Sequence, residues 1–290
     1  DYATNAESAV GSADAWCRYE NQVPSSSIDP IIGYWKITSP LLIIALASDT
    51  GGSGVKNVTF YYRYRATNAS SWGSNISFGI DSEPWNSCSY DFSFPNGNGH
   101  YQFYSIASDN ATNIELSPGG NGDATCGFNT GAPVSTVNKI TPHWTTTRPV
   151  RITATAEDFG PSGLKNVTLL YYNSTDNNTW AGPWQYGIDS DPWMNCSWDV
   201  LFPNQTAYYR FYSRAADNSS HVEDAPLIND TGCGYDFQPP TCSISYNRTK
   251  DFFKAPERIR ISVNFSEPHA GIDESSVFLT ISTMGNGSLE

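Results

Sequence analysis

Apolar and polar residues alternate along several short stretches of the chain, and the same stretches occur twice. In Leu41-Leu-Ile-Ile-Ala-Leu-Ala47, the residues Leu41, Ile43, Ala45 and Ala47 form one face, which Val150, Ile152, Ala154 and Ala156 repeat. A two-residue period marks a strand with one side turned to a core. A second strand is predicted from Val55 to about Tyr64, with Val58, Phe60 and Tyr62 inward and Val167, Leu169 and Tyr171 as their counterparts. A later strand carries Tyr101, Phe103, Ser105 and Ala107, matched by Tyr209, Phe211, Ser213 and Ala215. Clusters such as Asp49-Thr-Gly-Gly-Ser-Gly54 and Phe94-Pro-Asn-Gly-Asn-Gly99 separate these runs, and their residues favour turns through positive or fixed φ. No segment of ten residues shows helical spacing with a cap at each end. About seven short strands in ~105 residues is the size of a small β sandwich.

The matching extends over residues 35 to 128 and 144 to 235, at a shift of 109 falling to 107. Trp35 pairs with Trp144, Ser53-Gly-Val-Lys-Asn-Val-Thr59 with Ser162-Gly-Leu-Lys-Asn-Val-Thr168, and Gly79-Ile-Asp-Ser-Glu-Pro-Trp85 with Gly187-Ile-Asp-Ser-Asp-Pro-Trp193. A period this long is a whole domain rather than a solenoid unit. Asp1-Tyr-Ala-Thr-Asn-Ala-Glu7 reads like Asp109-Asn-Ala-Thr-Asn-Ile-Glu115, and Ile259-Arg-Ile-Ser262 like Val150-Arg-Ile-Thr153. The expected organisation is therefore a tail of a preceding repeat over 1–23, full repeats over 24–130 and 131–238, and the opening of a divergent copy over 239–290. The chain reads as a window on a longer tandem array.

With 16 Lys and Arg against 29 Asp and Glu, the net charge of −13 disfavours nucleic acid and anionic membranes. The longest apolar stretch, Leu41 to Ala47, is far short of the ~20 residues of a membrane helix. Fourteen Asn-x-Ser/Thr sequons occur, at Asn57, Asn68, Asn75, Asn110, Asn166, Asn173, Asn177, Asn195, Asn204, Asn218, Asn229, Asn247, Asn264 and Asn286. Their number predicts N-linked glycans on a secreted surface, while Asn, Ser and Thr filling exposed turns is the plainer account of any single site. Many sequons with few Lys fit an archaeal envelope better than a bacterial one, and a eukaryotic ectodomain stays open beside it. The cysteines follow the repeat, because Cys88 matches Cys196 and Cys126 matches Cys233, leaving one pair 38 or 37 residues apart in each copy. Disulfides within each copy are expected, worth about 4 kcal/mol apiece on the chain-entropy model, in an oxidising compartment. Bonds between neighbouring copies, such as Cys17 to Cys88, stay open, and Cys242 has no counterpart.

A Ser-Gly-Val/Leu-x-x-Val strand start, a Pro-Trp before the next strand, and Tyr-x-Phe-Tyr-Ser-x-Ala followed by Asp-Asn and Glu resemble the tandem immunoglobulin-like, fibronectin-III-like repeats of prokaryotic cell-surface proteins. The resemblance covers residues 24 to 235. The chain departs from the Ala-x-Asp-x-Ala-Gly-Asn-x-Glu ending common there, with Thr112 for Gly in one copy and Ser220 and His221 for Gly-Asn in the other. The implied fold is all-β, a beads-on-a-string array of immunoglobulin-like β sandwiches. The implied role is extracellular and structural, as a glycosylated subunit of a filament, appendage or S-layer that self-associates. The alternative is an adhesin or carbohydrate-binding stalk, whose repeats space a tip that meets a glycan or a host surface.

Candidate chemistry is sparse. His100, His143, His221 and His269 occupy non-equivalent positions, none has a second His or Cys at metal-ligand spacing, and no Gly-x-Ser-x-Gly, His-Glu-x-x-His or phosphate loop is present. Catalysis is not expected, nor is a cofactor other than structural calcium. The calcium candidates are acids at loop and strand ends in both copies: Asp49, Asp109, Glu115, Asp158, Asp217 and Glu223. Against that stands the ordinary use of Asp to close an Asx turn, which also fits Asp81 and Asp189. The aromatic content of 14 % includes Trp72 and Trp180, which suit a sugar platform, and Trp85 and Trp193, which suit core packing beside the cysteines.

Overall fold

The computed structural model describes residues 16–83, 88–191, 195–246 and 258–280. The expected packing of Trp85 and Trp193, the sequons at Asn247 and Asn286, and most of the predicted N-terminal tail lie outside the described residues. The chain divides into two compact units, one of residues 1–132 with the short segments 158–163 and 217–221, the other of the remainder.

In the first unit eight strands follow one another: β1 (Ser25–Ile28), β2 (Trp35–Lys36), β3 (Leu41–Ser48), β4 (Val55–Arg65), β5 (Ile76–Asp81), β6 (Cys88–Phe92), β7 (Gly99–Asp109) and β8 (Ala124–Phe128). They form a three-stranded sheet in the order β1-β3-β6 and a five-stranded sheet in the order β2-β8-β7-β4-β5. All pairs are antiparallel except β2 with β8, where Trp35 lies opposite Gly127. The alternation read from the sequence is the one the sheets use. Ile43, Ala45, Val58 and Phe60 are fully buried and Tyr62 nearly so, whereas Leu42, Ile44 and Leu46 on the other face of β3 are exposed. Ile28, Ile43, Ala45 and Phe92 of one sheet meet Val58, Phe60, Tyr101, Phe103 and Ala107 of the other in a single core. The two-residue strand β2 escaped the periodicity because it is too short to show any.

The second set repeats the plan as β9 (Val134–Val137), β10 (Trp144–Thr145), β11 (Val150–Glu157), β12 (Leu164–Ser174), β13 (Ala181–Asp189), β14 (Cys196–Val200), β15 (Ala207–Asp217) and β16 (Thr231–Tyr235). Its sheets run β14-β11-β9 and β10-β16-β15-β12-β13. Ile152, Val167, Leu169, Val200, Tyr209 and Phe211 fill its core. A two-stranded hairpin follows, β17 (Thr241–Tyr246) with β18 (Ile261–Ser266), and then one 3-10 turn, Glu274–Ser276.

Two tyrosines fasten the corners that lead into β7 and β15. The Tyr101 hydroxyl donates to the Gly97 carbonyl at 2.7 Å, and that of Tyr209 to the Gln205 carbonyl at 2.9 Å, each four residues upstream. Both rings are essentially buried, so the hydroxyl satisfies itself locally while the ring adds core area. Glycine is required opposite the β2 and β10 tryptophans. A Cβ on Gly127 would come within 2.3 Å of the Trp35 ring, and one on Gly234 within 2.1 Å of Trp144.

The expected cystines are not formed. Cys88, Cys126, Cys196 and Cys233 are buried thiols, and Cys17 and Cys242 are exposed ones. In the core a thiol behaves as a small apolar group, and the Cys88 Sγ donates to the Ala45 carbonyl at 3.4 Å. Burial, with a smaller push from Asp81, raises the Cys88 thiol to about 11, and burial raises Cys126 to about 12. Cys196 and Cys233 follow at about 11 and about 12, again chiefly through burial. Thiols held protonated in this way are poor nucleophiles.

Candidate functional site

The repeated acids separate into two kinds of arrangement. Glu115 and Glu223 hold strands together. Glu115 accepts hydrogen bonds from the Ser26 amide at 2.8 Å, the Ser26 hydroxyl at 2.6 Å and the Ala107 amide at 2.9 Å. Glu223 accepts from the Ser135 amide at 2.9 Å, the Ser135 hydroxyl at 2.5 Å and the Ala215 amide at 2.9 Å. Each of the two glutamates thereby ties an edge strand of its small sheet, β1 or β9, to β7 or β15 of the large one. Asp123 and Asp230, which sequence reasoning missed, do the same work one step along. Asp123 Oδ2 accepts from the Ile28 and Ser105 amides, and Asp230 Oδ2 from the Val137 and Ser213 amides.

Asp49 and Asp109 do come together, with a partner the sequence did not suggest. Carboxylate oxygens of Glu20, Asp49 and Asp109 lie within 4.8 Å of one another. Asp49 closes its own turn by accepting from the Gly51 amide at 2.9 Å and the Gly54 amide at 2.8 Å. Glu20 accepts from the Ser53 hydroxyl at 2.8 Å, and its carboxyl carbon lies 2.3 Å from where a Cβ on Gly51 would sit. Asp109 is fully buried. Desolvation works to raise its pKa, but hydrogen bonds from Asn113, and then those with Glu20 and Ser53, outweigh it and hold the carboxyl below its ordinary range. Three carboxylates offer hard oxygen donors of the type that suits Ca²⁺.

The equivalent cluster in the next copy has a different centre. Glu20 is three residues after Cys17, and Asn129 is three residues after Cys126. The Asn129 Nδ2 lies 2.9 Å from Ser162 Oγ, 2.9 Å from Asp217 Oδ2 and 3.1 Å from Ser219 Oγ, and donates into this oxygen-lined space. Asp158 closes the adjoining turn, accepting from the Gly160 amide and the Ser162 hydroxyl. An amide hydrogen thus meets Asp217 where the first copy has a third carboxylate. Asp81 and Asp189, in turn, each accept from an amide two residues on and another eight residues on.

Ser219, His221 and Asp217 have the composition of a hydrolytic triad but not its geometry. Ser219 Oγ and Asp217 Oδ2 both face His221 Nδ1, at 2.8 Å and 3.2 Å. A proton relay needs the serine on one ring nitrogen and the acid on the other. His100 is buried and bonds the Tyr34 hydroxyl through Nδ1 at 2.6 Å, and burial followed by the Arg65 charge lowers its pKa.

The sequons sort by what their amide nitrogens do. Asn110 Nδ2 donates to the Ser53 and Gly54 carbonyls, and Asn218 Nδ2 to those of Ser162 and Gly163. The nitrogen that a glycan would modify is here part of a turn clamp. Asn68, Asn75, Asn177, Asn195, Asn204 and Asn264 are exposed, while Asn57, Asn166, Asn173 and Asn229 are half-buried. Trp72 and Trp180 are each covered on one side by an arginine, with Arg65 at 4.5 Å and Arg210 at 3.9 Å from the ring centroids. Trp72 and Arg65 border a cleft of about 500 Å³ that also takes in Tyr34, Gln102 and Asp123.

The fold and its clamps define a class: tandem β sandwiches of the immunoglobulin and fibronectin-III type, in which repeated carboxylates tie strand to strand. No protein-family model and no curated protein sequence matches the chain. Among solved structures it is similar to a tetra-tandem repeat in the extending region of a large adhesion protein. That match has 10% identity and a TM-score of 0.35, covering 85% of this chain and 63% of that one. It is also similar to the FN1–FN3 domains of chicken CNTN1, with 12% identity, coverage of 74% and 68%, and a TM-score of 0.27. The native conformation of E. coli alpha-2-macroglobulin is similar at 8% identity, with coverage of 84% and 18% and a TM-score of 0.28. The chain thus spans less than two thirds of the adhesion-protein structure.

Proposed function

We propose that the chain is a structural section of an extracellular surface protein, a glycosylated subunit of a filament, appendage or S-layer, without catalytic activity of its own. The observation that carries the reading is recurrence. Core positions, the Glu115/Glu223 and Asp123/Asp230 clamps and the tyrosine corners are the same in both copies, while the histidines differ from copy to copy. Duplicated framework with single-copy decoration suits a spacer or lattice element. Self-association draws support from Leu42, Ile44 and Leu46, which expose an apolar stripe where β11 has Arg151, Thr153 and Thr155.

Electron cryomicroscopy of the undenatured surface fraction tests this reading. A filament or sheet with a repeat commensurate with roughly 35 to 45 Å per sandwich, as strands of ~10 residues require, is the expected result. Dispersed rods would overturn it in favour of the adhesin or carbohydrate-binding stalk, which the Trp72 cleft with its arginine, glutamine and aspartate favours.

Calcium enters this proposal at Glu20, Asp49 and Asp109, not at Glu115 or Glu223. Chelator is expected to lower the melting temperature of the chain, and Glu20→Gln to abolish that response. A melting temperature indifferent to chelator removes calcium from the account.

A further inference from the structure

We infer that Asp236, Glu267 and His269 form a binding site for a divalent transition cation of the zinc class. Their ligand atoms, two carboxylate oxygens and an imidazole nitrogen, lie within 4.8 Å of one another. Zinc bonds of about 2.0–2.2 Å set tetrahedral ligand atoms roughly 3.4 Å apart, so small side-chain rotations close the site.

Three observations single out this cluster from an ordinary group of surface acids. First, Asp236 is 4% exposed, and its Oδ1 accepts from the Gln238 amide at 3.0 Å and the Thr206 hydroxyl at 3.4 Å. Those two bonds orient the carboxylate through Oδ1, as outer-shell partners of a metal ligand do. Second, His269 Nδ1 is shielded from solvent and has no hydrogen-bond partner among the described residues. Of the unpartnered buried ring nitrogens, this one alone belongs to a group of metal-ligating side chains among the described residues, and a metal ion would satisfy it. The backbone of His269 is held on both sides of its Cα, because Glu267 Oε1 accepts from the His269 amide at 3.0 Å and Tyr208 donates to the His269 carbonyl at 3.4 Å. Third, a cavity of about 530 Å³, bordered by Trp144, Asp236, Gln238 and Glu267, leaves room for water as the remaining ligand.

The repeat explains how the donors arose. Asp236 is three residues after Cys233, the position of Glu20 and Asn129 in the other copies. Glu267 takes the position of Asp49 and Asp158, and His269 that of Gly51 and Gly160. At those two glycines a Cβ would meet Glu20 at 2.3 Å or Asn129 at 2.4 Å. The divergent copy places an imidazole where the others admit no side chain. Adding an imidazole nitrogen to an otherwise oxygen-rich cluster shifts its preference from Ca²⁺ toward Zn²⁺, Ni²⁺ or Cu²⁺.

The test uses the whole chain, freed of any histidine tag and stripped with chelator, titrated with Zn²⁺ by calorimetry and followed by thermal melting. One Zn²⁺ is expected to bind saturably and to raise the melting temperature. His269→Ala and Glu267→Gln should each weaken binding at least tenfold, while His143→Ala, which alters an exposed histidine elsewhere, leaves it unchanged. Millimolar Ca²⁺ should not displace the bound ion. Metal-free melts and circular dichroism establish that the variants are folded. Should His269→Ala fail to fold, Co²⁺ bound to the unmodified chain gives the reading through its visible spectrum, in which ligation by nitrogen and oxygen is expected. No saturable Zn²⁺ binding up to 1 mM, or binding that survives both substitutions, overturns the site.

Discussion

Glu115→Ala is expected to destabilise the first repeat by about 3 kcal/mol, read as a fall in melting temperature of roughly 12–24 °C for a domain of this size. The carboxylate bridges the two sheets, since Ser26 belongs to β1 of the small sheet and Ala107 to β7 of the large one. Hydrogen bonds to a charged acceptor contribute about 1.5–3 kcal/mol each, but Glu115 is half-buried, and water recovers part of what the substitution removes. The Ala107 amide has no such recourse, because Ala107 is fully buried. Leaving it without an acceptor accounts for about 1–3 kcal/mol of the loss. Glu115→Gln keeps the shape and one carbonyl acceptor, so it should cost roughly a third as much. Glu223→Ala should reproduce the effect in the second repeat through Ser135 and Ala215. A loss under about 1 kcal/mol for both alanine variants would show that solvent replaces the clamp.

These clamps mark where sequence reasoning stopped. The recurrence of Glu115 and Glu223 was plain, and so was their oxygen chemistry, but a carboxylate that recurs at a strand end meets the same need whether the positive partner is an ion or a set of N–H groups. Only the fold decides, by bringing Ser26 to Glu115 across 89 residues. Asp123 and Asp230 escaped for the same reason, as Ile28 and Asp123 are 95 residues apart. By contrast, the faces of β3, β4 and β7 were legible because period-two alternation is local and each inward residue was written twice. The turn role of Asp49 was legible too, since an Asx turn needs only its own next few residues. Its meeting with Glu20 was not, because no spacing rule links residue 20 to residue 49. The cysteines show the limit of counting: a matched pair in each copy fits a cystine and also fits two small apolar residues in one core, and the structure has the thiols.

Phe92→Ala should cost the first repeat about 4 kcal/mol, at least about 1 kcal/mol more than Val200→Ala costs the second, although the two residues occupy matching positions. Phe92 is 1% exposed and stands at the centre of a ring cluster. Its centroid lies 4.8 Å from Phe78, 4.9 Å from Tyr62 and 4.9 Å from Phe103, each pair in an edge-to-face arrangement. Such pairs add about 0.5–1.5 kcal/mol beyond the area they bury. Truncating the ring therefore removes transfer energy, opens a cavity bordered by rigid aromatics that collapse poorly, and breaks several oriented contacts together. Val200 is equally inaccessible, but it gives up only two methyl groups, and the smaller void is closed more easily. Hydrogen exchange read peptide by peptide along the intact chain assigns each loss to its own repeat, with the larger increase in exchange expected across β3, β4 and β7 in the Phe92 variant. Equal losses at the two positions would mean that the aromatic cluster adds nothing beyond its volume, and that the copies are held together by their shared backbone plan and carboxylate clamps alone.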